Sequence, residues 1–194
     1  MKLMVASDIH GSAYFCAQML EALDREQADK LVLLGDILYH GPRNDLPQEY
    51  APKKVLAMLN ERKQDILCIR GNCDTEVDQM VLEFPVLSEQ GLLYVNGHTI
   101  YLKHGHNITG NGRLALKDGD ILLCGHTHVP KCEYRSCVDD SVVEEGCDKV
   151  PAYLYMNPGS VSIPKEDSWH GYMIVEQDFV WKALDGRIWF TKTV

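Results

Sequence analysis

The sequence predicts an α/β protein built from two packed mixed β-sheets forming a sandwich flanked by helices. Three observations predict it. Short apolar runs alternate with helical patterns over the first two-thirds of the chain. Later strand-like runs are joined by hairpin turns. Five groups of Asp, His and Asn each stand just after a strand-like run. Strands in βαβ units and strands in hairpins are both accommodated by two sheets with helices outside them.

In chain order, Lys2 to Ala6 is the first expected strand. Ala13 to Asp24 carries Phe15, Met19, Leu20 and Leu23 at helical spacing, with Ser12 as its N-cap. Lys30 to Leu34 is a second strand. Ala51 to Glu61 is a second helix, with Pro52 in its first turn and Val55, Leu56 and Leu59 on one face. Ile66 to Ile69 is a third strand and Val77 to Leu82 a weaker helical piece. Leu92 to Val95 and Thr99 to Leu102 flank Asn96-Gly97, a two-residue hairpin signal. Ile121 to Cys124 and Tyr153 to Met156 are short buried strands. Tyr172 to Val175, Val180 to Leu184 and Ile188 to Thr191 form hairpins at the C-terminus, with Trp181 and Trp189 in the core or on the sheet surface. Tyr134 to Val150 is acidic and poorly periodic, and reads as a loop or hairpin on the surface.

The chain has 194 residues, 45% hydrophobic and 24% charged, as expected for one globular domain spanning 1–194. No apolar run approaches the roughly 20 residues needed to cross a bilayer. Asp8 and His10 interrupt the apolar start before a signal-peptide core could form, so a cytoplasmic protein is expected. Seven cysteines without a C-x-x-C pair argue against a disulfide framework. Cys68 and Cys124 read as core residues; Cys132, Cys137 and Cys147 are the one trio that could bind zinc. The net charge of −9, with no basic stripe, argues against a nucleic-acid partner. Two bound divalent cations would move that balance to about −5.

The five groups are Asp8-Ile9-His10-Gly11, Gly35-Asp36, Gly71-Asn72-Cys73-Asp74, His104-Gly105-His106 and Gly125-His126-Thr127-His128. Ligands in α/β sheets bind beyond the carboxyl ends of strands, so parallel strands would bring these groups together. Asp8 and His10 are two apart in a segment expected to be extended, which would aim both side chains the same way; His126 and His128 repeat the pattern. So many converging polar groups are costly to bury unless cations occupy the space between them.

In this order, the five groups resemble the calcineurin-like metallophosphoesterase superfamily. The stretches Ala6 to Ser12, His40 to Asn44, Arg70 to Asp74 and Asn157 to Ser162 resemble its small bacterial YfcE-type phosphodiesterases. The resemblance covers nearly the whole chain and fades over Tyr134 to Val150. It implies a β-sandwich flanked by helices and two divalent metal ions, often Mn²⁺, with Fe, Zn or Ni as alternatives. It assigns Asp8, His10 and His128 to one metal, Asn72, His104 and His126 to the other, and Asp36 as the bridge. The implied activity is a phosphodiesterase acting on small phosphate esters by in-line attack of a metal-activated water.

One departure concerns the proton donor. Many relatives carry His after Gly-Asn, where this chain has Cys73. Cys73 is then either a thiol acid or a neutral liner of the site, and His106 is the expected substitute donor. Asp74 would orient a neighbouring imidazole. Arg43 would hold a phosphate oxygen, or else belong to a solvated loop with His40 and Asn44. His98 and His170 read as surface residues. The rival functions are a metal-binding scaffold of the retromer-subunit type, a phosphomonoesterase and a nuclease. A homo-oligomer is compatible with the sequence.

Overall fold

Alternation of side chains along short apolar strands builds the centre of the molecule. In the computed structural model, which describes residues 1–109, 112–146 and 150–194, Leu3–Ala6 (β1) pairs in parallel with Lys30–Leu33 (β2), and β2 with Ile66–Cys68 (β3). Gly171–Val175 (β10), Phe179–Ala183 (β11) and Ile188–Lys192 (β12) continue this sheet antiparallel, in the order β12-β11-β10-β1-β2-β3. The second sheet contains Gly91–Val95 (β4), His98–Leu102 (β5), Ile121–Leu123 (β6), Lys131–Ser136 (β7), Val142–Val143 (β8) and Ala152–Asn157 (β9). Its order is β4-β5-β6-β9-β7-β8, with β5, β6 and β9 parallel.

Successive residues of β1 and β2 point to opposite faces. Leu3, Val5, Val32 and Leu34 face the second sheet and join Ile100, Ile121, Leu123 and Met156 in one core. Met4, Ala6, Leu31 and Leu33 face the other way, onto Cys16, Met19 and Leu23 of the helix Ala13–Glu26 (α1) and Val55 and Leu59 of Pro52–Glu61 (α2). Each fully buried aliphatic side chain contributes about 1.5–3 kcal/mol of burial free energy. A double-sided core is therefore a strong reason for the strands to hold their register. The short helix Glu76–Val81 (α3) follows β3.

The expected elements are all present, with ends displaced by a residue or two. Ser12 caps α1 by accepting from the Phe15 N–H at 3.3 Å. Asn96 and Gly97 both take positive φ, 53° and 87°, as a tight hairpin turn requires. On the outer face of the second sheet, Leu122, Cys124, Tyr153 and Tyr155 are covered by Ile108, Leu114 and Leu116.

The segment from Tyr134, expected as a surface loop or hairpin, opens as a hairpin: β7 pairs with β8, and also with β9 along its whole length. His170, expected on the surface, is half-buried; its ring stacks on Phe15 at 3.9 Å and its Nδ1 faces the Val161 carbonyl at 2.9 Å. Its place immediately before β10 carries it beneath α1. Trp181 is fully buried, whereas Trp189 is half-exposed and stacks on Trp169. Cys147 and the neighbouring Asp148 and Lys149 lie outside the described residues, and with them the cysteine trio. No helix among the described residues is long and apolar enough to cross a membrane.

Candidate metal centre

Parallel pairing puts the carboxyl ends of β1, β2 and β3 side by side, and those of β5 and β6 likewise. The segments that leave these ends carry Asp8 and His10, Asp36, Asn72, His104, and His126 and His128. The structure brings all seven together. Nitrogen and oxygen atoms of Asp8, His10 and His128 lie within 4.8 Å of one another, as do those of Asp36, His104 and His126.

The backbone that does this is not extended, which corrects the sequence reading of the two alternating pairs. Asp8, His10, Asp36, His126 and His128 have φ of 60°, 49°, 57°, 67° and 64°. The cause is that the first two segments go on pairing past their strands in a tighter conformation. The N–H groups of Asp8, His10 and Gly11 donate to the carbonyls of Gly35, Asp36 and Ile37 at 3.1, 2.9 and 2.8 Å. Left-handed backbone at a non-glycine residue costs on the order of 1–3 kcal/mol, and such strain concentrates at functional sites.

Two glycines matter for space. A Cβ on Gly71 would stand 2.1 Å from Asp36 Oδ1, and one on Gly125 would stand 1.9 Å from Ser7 Oγ and 2.9 Å from Asp8 Oδ2. Any side chain at either position would displace a carboxylate of the centre.

Hydrogen bonds orient the donors. Nδ1 of His10, His104 and His128 lies 2.8, 2.6 and 2.6 Å from the carbonyls of Tyr39, Leu34 and Ile163. A carbonyl only accepts, so each Nδ1 carries the proton and each Nε2 presents its lone pair to the centre. Each carboxylate is divided in the same way. Asp8 Oδ2 accepts from the His126 N–H at 3.0 Å, and Asp36 Oδ1 from the Cys73 N–H at 2.8 Å. The other oxygens face inward. Asp8 Oδ1 lies 3.6 Å from His10 Nε2 and 3.4 Å from His128 Nε2, and has no hydrogen-bond partner. Asp36 Oδ2 lies 3.6 Å from His10 Nε2 and 3.4 Å from His104 Nε2, between the two groups.

The two Nε2 atoms of His10 and His128 are 3.2 Å apart. Lone pairs and carboxylate oxygens thus converge with no donor among them. A buried acceptor left unpaired costs about 1–3 kcal/mol, more if charged. Protons or cations relieve the conflict, and the mixture of carboxylate, imidazole and amide suits a first-row divalent ion. The electrostatics follow the geometry. Burial opposes ionisation of Asp8, but the adjacent rings of His10 and His128 hold its carboxyl well below the usual range. Burial opposes charging of His104, yet Asp36 and Asp8 raise it to about 9, so a proton takes up its Nε2 lone pair wherever a cation does not. Burial and the neighbouring His104 lower His126 to about 4, so its ring is neutral.

The remaining expected residues divide. Arg43, Asn44 and Cys73 line a cavity of about 410 Å³ over the centre. Burial and the adjacent Asp36 carboxylate push the Cys73 thiol far up, so it stays protonated. His106 is exposed at the edge of the centre; its ring lies 5.6 Å from that of His104 and 6.1 Å from that of His126. Burial lowers its pKa, which leaves the ring without a spare proton near neutral pH. Asp74 touches no imidazole, contrary to expectation. Its carboxylate accepts from the N–H groups of Asp36, Ile37 and Gly71 at 2.8, 2.9 and 2.7 Å and clamps two strand-end segments.

Sequence reasoning assigned no roles to Ser160, Ser162 or Lys165. Both serine hydroxyls donate to the Asp8 carbonyl, at 2.9 and 3.1 Å, holding the backbone of a central residue. Lys165 lines the cavity. A lone lysine ahead of Glu166 and Asp167 carries no local signal.

Comparison with known proteins agrees with this architecture. The model of the calcineurin-like phosphoesterase superfamily domain matches residues 1–178. The chain is 42% identical to phosphodiesterase YfcE of Escherichia coli strain K12 over 178 residues, covering 92% of this chain and 89% of that one. The structure of YfcE, a phosphoesterase from E. coli, superposes with a TM-score of 0.86 at 40% identity over the whole of both chains. Vps29 of Chaetomium thermophilum shares the fold at a TM-score of 0.56 and 13% identity, covering 99% of this chain and 96% of that one. The match over residues 1–178 and the whole-chain likeness to YfcE lead to one conclusion: the chain belongs to the calcineurin-like phosphoesterase superfamily.

Proposed function

We propose that this phosphoric ester hydrolase is a phosphodiesterase of small substrates that works with two divalent cations, Mn²⁺ foremost. One observation carries the reading: the inward oxygen of Asp36 stands between His10 and His104, while Asp8 Oδ1 is buried with no partner. Asp8, His10 and His128 would hold one cation, Asn72, His104 and His126 the other, with Asp36 shared. When bound, such a pair supplies positive charge for the phosphoryl oxygens and lowers the pKa of a coordinated water.

The chain's own residues prepare that chemistry. The carbonyls of Tyr39, Leu34 and Ile163 fix the tautomer and tilt of three imidazoles, the usual support behind a ligating histidine. The N–H groups of His126 and Cys73 anchor one oxygen of each carboxylate and leave the other free. Arg43 would hold a phosphate oxygen of the substrate, and Cys73 would form a neutral part of the wall. A protonated thiol with so high a pKa is a weak acid, so the leaving group receives little help from it. We further propose that residues 1–194 act as one domain.

The test is metal analysis together with an assay. Chelator-treated protein reconstituted with Mn²⁺, Fe²⁺, Zn²⁺ or Ni²⁺ is offered aryl phosphodiesters, aryl phosphomonoesters and single-stranded DNA. The expected result is metal uptake near two ions per chain and preferred turnover of the small diesters. Turnover without metal uptake would overturn the reading, and so would preference for DNA.

A further inference from the structure

The cavity over the centre is lined by two cations whose side chains have no partner among the described residues, and they come from distant parts of the chain. Arg43 lies in the loop after β2, and Lys165 in the segment between β9 and β10. Among the described residues, the lysines and arginines with neither a side-chain hydrogen bond nor an ion pair are Arg43, Lys53, Lys117 and Lys165. The other basic side chains are engaged by carboxylates, carbonyls or a tyrosine hydroxyl: Arg62 by Asp24, Arg135 by Glu133, Lys182 by Glu26, Arg113 by three carbonyls. In a chain of net charge −9, two of the four unengaged cations thus stand on the wall of one cavity.

Their backbones are tied to the centre. The His10 ring donates to the Tyr39 carbonyl in the Arg43 loop at 2.8 Å. That loop is closed by Asn44 Nδ2 donating to the His40 carbonyl at 2.8 Å, and it packs so that a Cβ on Gly41 would stand 3.3 Å from Cys73 Sγ. The His128 ring donates to the Ile163 carbonyl at 2.6 Å, and the Lys165 N–H donates to the His128 carbonyl at 3.1 Å. Each cation therefore rises from a segment held by a histidine of the centre, with its charged head free.

The charge balance shows what they are free for. Under the proposed function, on which this inference rests, the charge of two divalent cations is met by Asp8, Asp36, a singly charged diester and an attacking hydroxide. Arg43 and Lys165 then remain as uncompensated positive charge beside the reacting phosphate. We infer that they form a second anion subsite, and that the preferred substrates are phosphate esters whose alcohol portion carries another anionic group, a phosphate or a carboxylate. Guanidinium and ammonium groups bind such oxyanions through charge-assisted hydrogen bonds. The net charge of −9 repels these substrates, so the local cations favour their entry.

Three substrates with one leaving group test this: p-nitrophenyl methyl phosphate, p-nitrophenyl 2-carboxyethyl phosphate and p-nitrophenyl phosphocholine. They present a neutral, an anionic and a cationic arm. On Mn²⁺-loaded enzyme the carboxyethyl ester should lead the methyl ester in kcat/KM by about tenfold. Added salt should erode that lead, because both cations are exposed. Arg43→Gln and Lys165→Gln should each lower the ratio of carboxyethyl to methyl kcat/KM, mainly through KM. Lys53→Gln removes the same charge from α2 and should leave the ratio as it is. Calorimetry with phenylphosphonate monoesters bearing the same three arms measures the preference without turnover. Equal affinity for the three arms overturns the subsite, as does an equal loss on all three substrates in both variants. Turnover without arm preference defeats the subsite alone, whereas arm preference in calorimetry without turnover defeats the phosphodiesterase reading alone.

Discussion

Two clusters of polar groups border the first sheet, and they are built on opposite principles. At the end of α1, Glu26 accepts from Lys182 Nζ at 2.8 Å through both oxygens and from Tyr172 Oη at 2.8 Å, while Arg25 donates to Tyr172 Oη and to the Leu184 carbonyl at 3.2 and 2.9 Å. That cluster is closed, with donors and acceptors matched, and it fastens the helix to β10 and β11. In the centre, acceptors face acceptors, and Asp8 Oδ1 has no partner. A matched cluster stabilises the fold, whereas an unmatched one held by strained backbone is a receptor for positive charge.

The comparison breaks most completely if cations do nothing. Chelation should abolish activity and Mn²⁺ should restore it best. Binding at a hundredfold excess over Kd adds about 2.7 kcal/mol of stability, or roughly 5–10 °C in melting temperature. Activity and melting temperature that both ignore chelator and Mn²⁺ would show that the acceptors are not a receptor.

Next in size is Asp36→Asn. The amide keeps the shape but halves the inward acceptor capacity and removes a charge, so activity should fall by at least about a hundredfold. The metal-free variant should melt within about 2 °C of the wild type, because relief of acceptor crowding offsets the lost ion. Near-normal turnover would remove Asp36 from the centre.

Cys73 sharpens the contrast within the centre, since its thiol is a neutral group among charged ones. Cys73→Ala should cost little on activated aryl diesters. Cys73→His should accelerate alkyl diesters more than aryl ones, by about tenfold, a fraction of the 10²–10⁴ that a well-placed general acid contributes. The dependence of rate on leaving-group pKa measures this. Loss of alkyl-ester turnover alone in the alanine variant would identify the thiol as the acid.

The smallest effect on catalysis belongs to the closed cluster. Glu26→Gln should leave kcat/KM unaltered and cost about 2 kcal/mol of stability, since hydrogen bonds to charged groups are worth about 1.5–3 kcal/mol. Burial opposes ionisation of Glu26, but Lys182 and Tyr172 lower its folded pKa below 4.5. Its contribution is therefore complete above pH 4.5 and disappears as pH falls through the folded value. Melting curves of wild type and variant should converge in acid, and a gap unchanged down to pH 3 would contradict the linkage.

Apolar runs of three to six residues, the Asn96-Gly97 turn and the Ser12 cap are local features, so the strands and helices were legible in order. The metal-ligand candidates were legible because each follows a strand, and parallel pairing gathers strand ends whatever the details of the loops. Local chemistry did not reveal how they are aimed. Alternation suggested extended backbone at Asp8 and His10, and the structure has left-handed backbone there, because pairing with Gly35, Asp36 and Ile37 overrides the local preference. Asp74 read as a partner for imidazole, and proximity to three N–H groups made it a backbone clamp instead.

Spacing and residue type by themselves determined which groups this chain can offer to a cation, since donor chemistry belongs to the side chain. Only the tertiary structure decided which oxygen of each carboxylate turns inward, that His106 stands exposed at the edge of the centre, and that Lys165 joins Arg43 above it. Those outcomes depend on contacts between segments far apart in the chain, 37 residues for Asp36 with Cys73 and 118 for Asp8 with His126, and no local pattern encodes a distance of that kind.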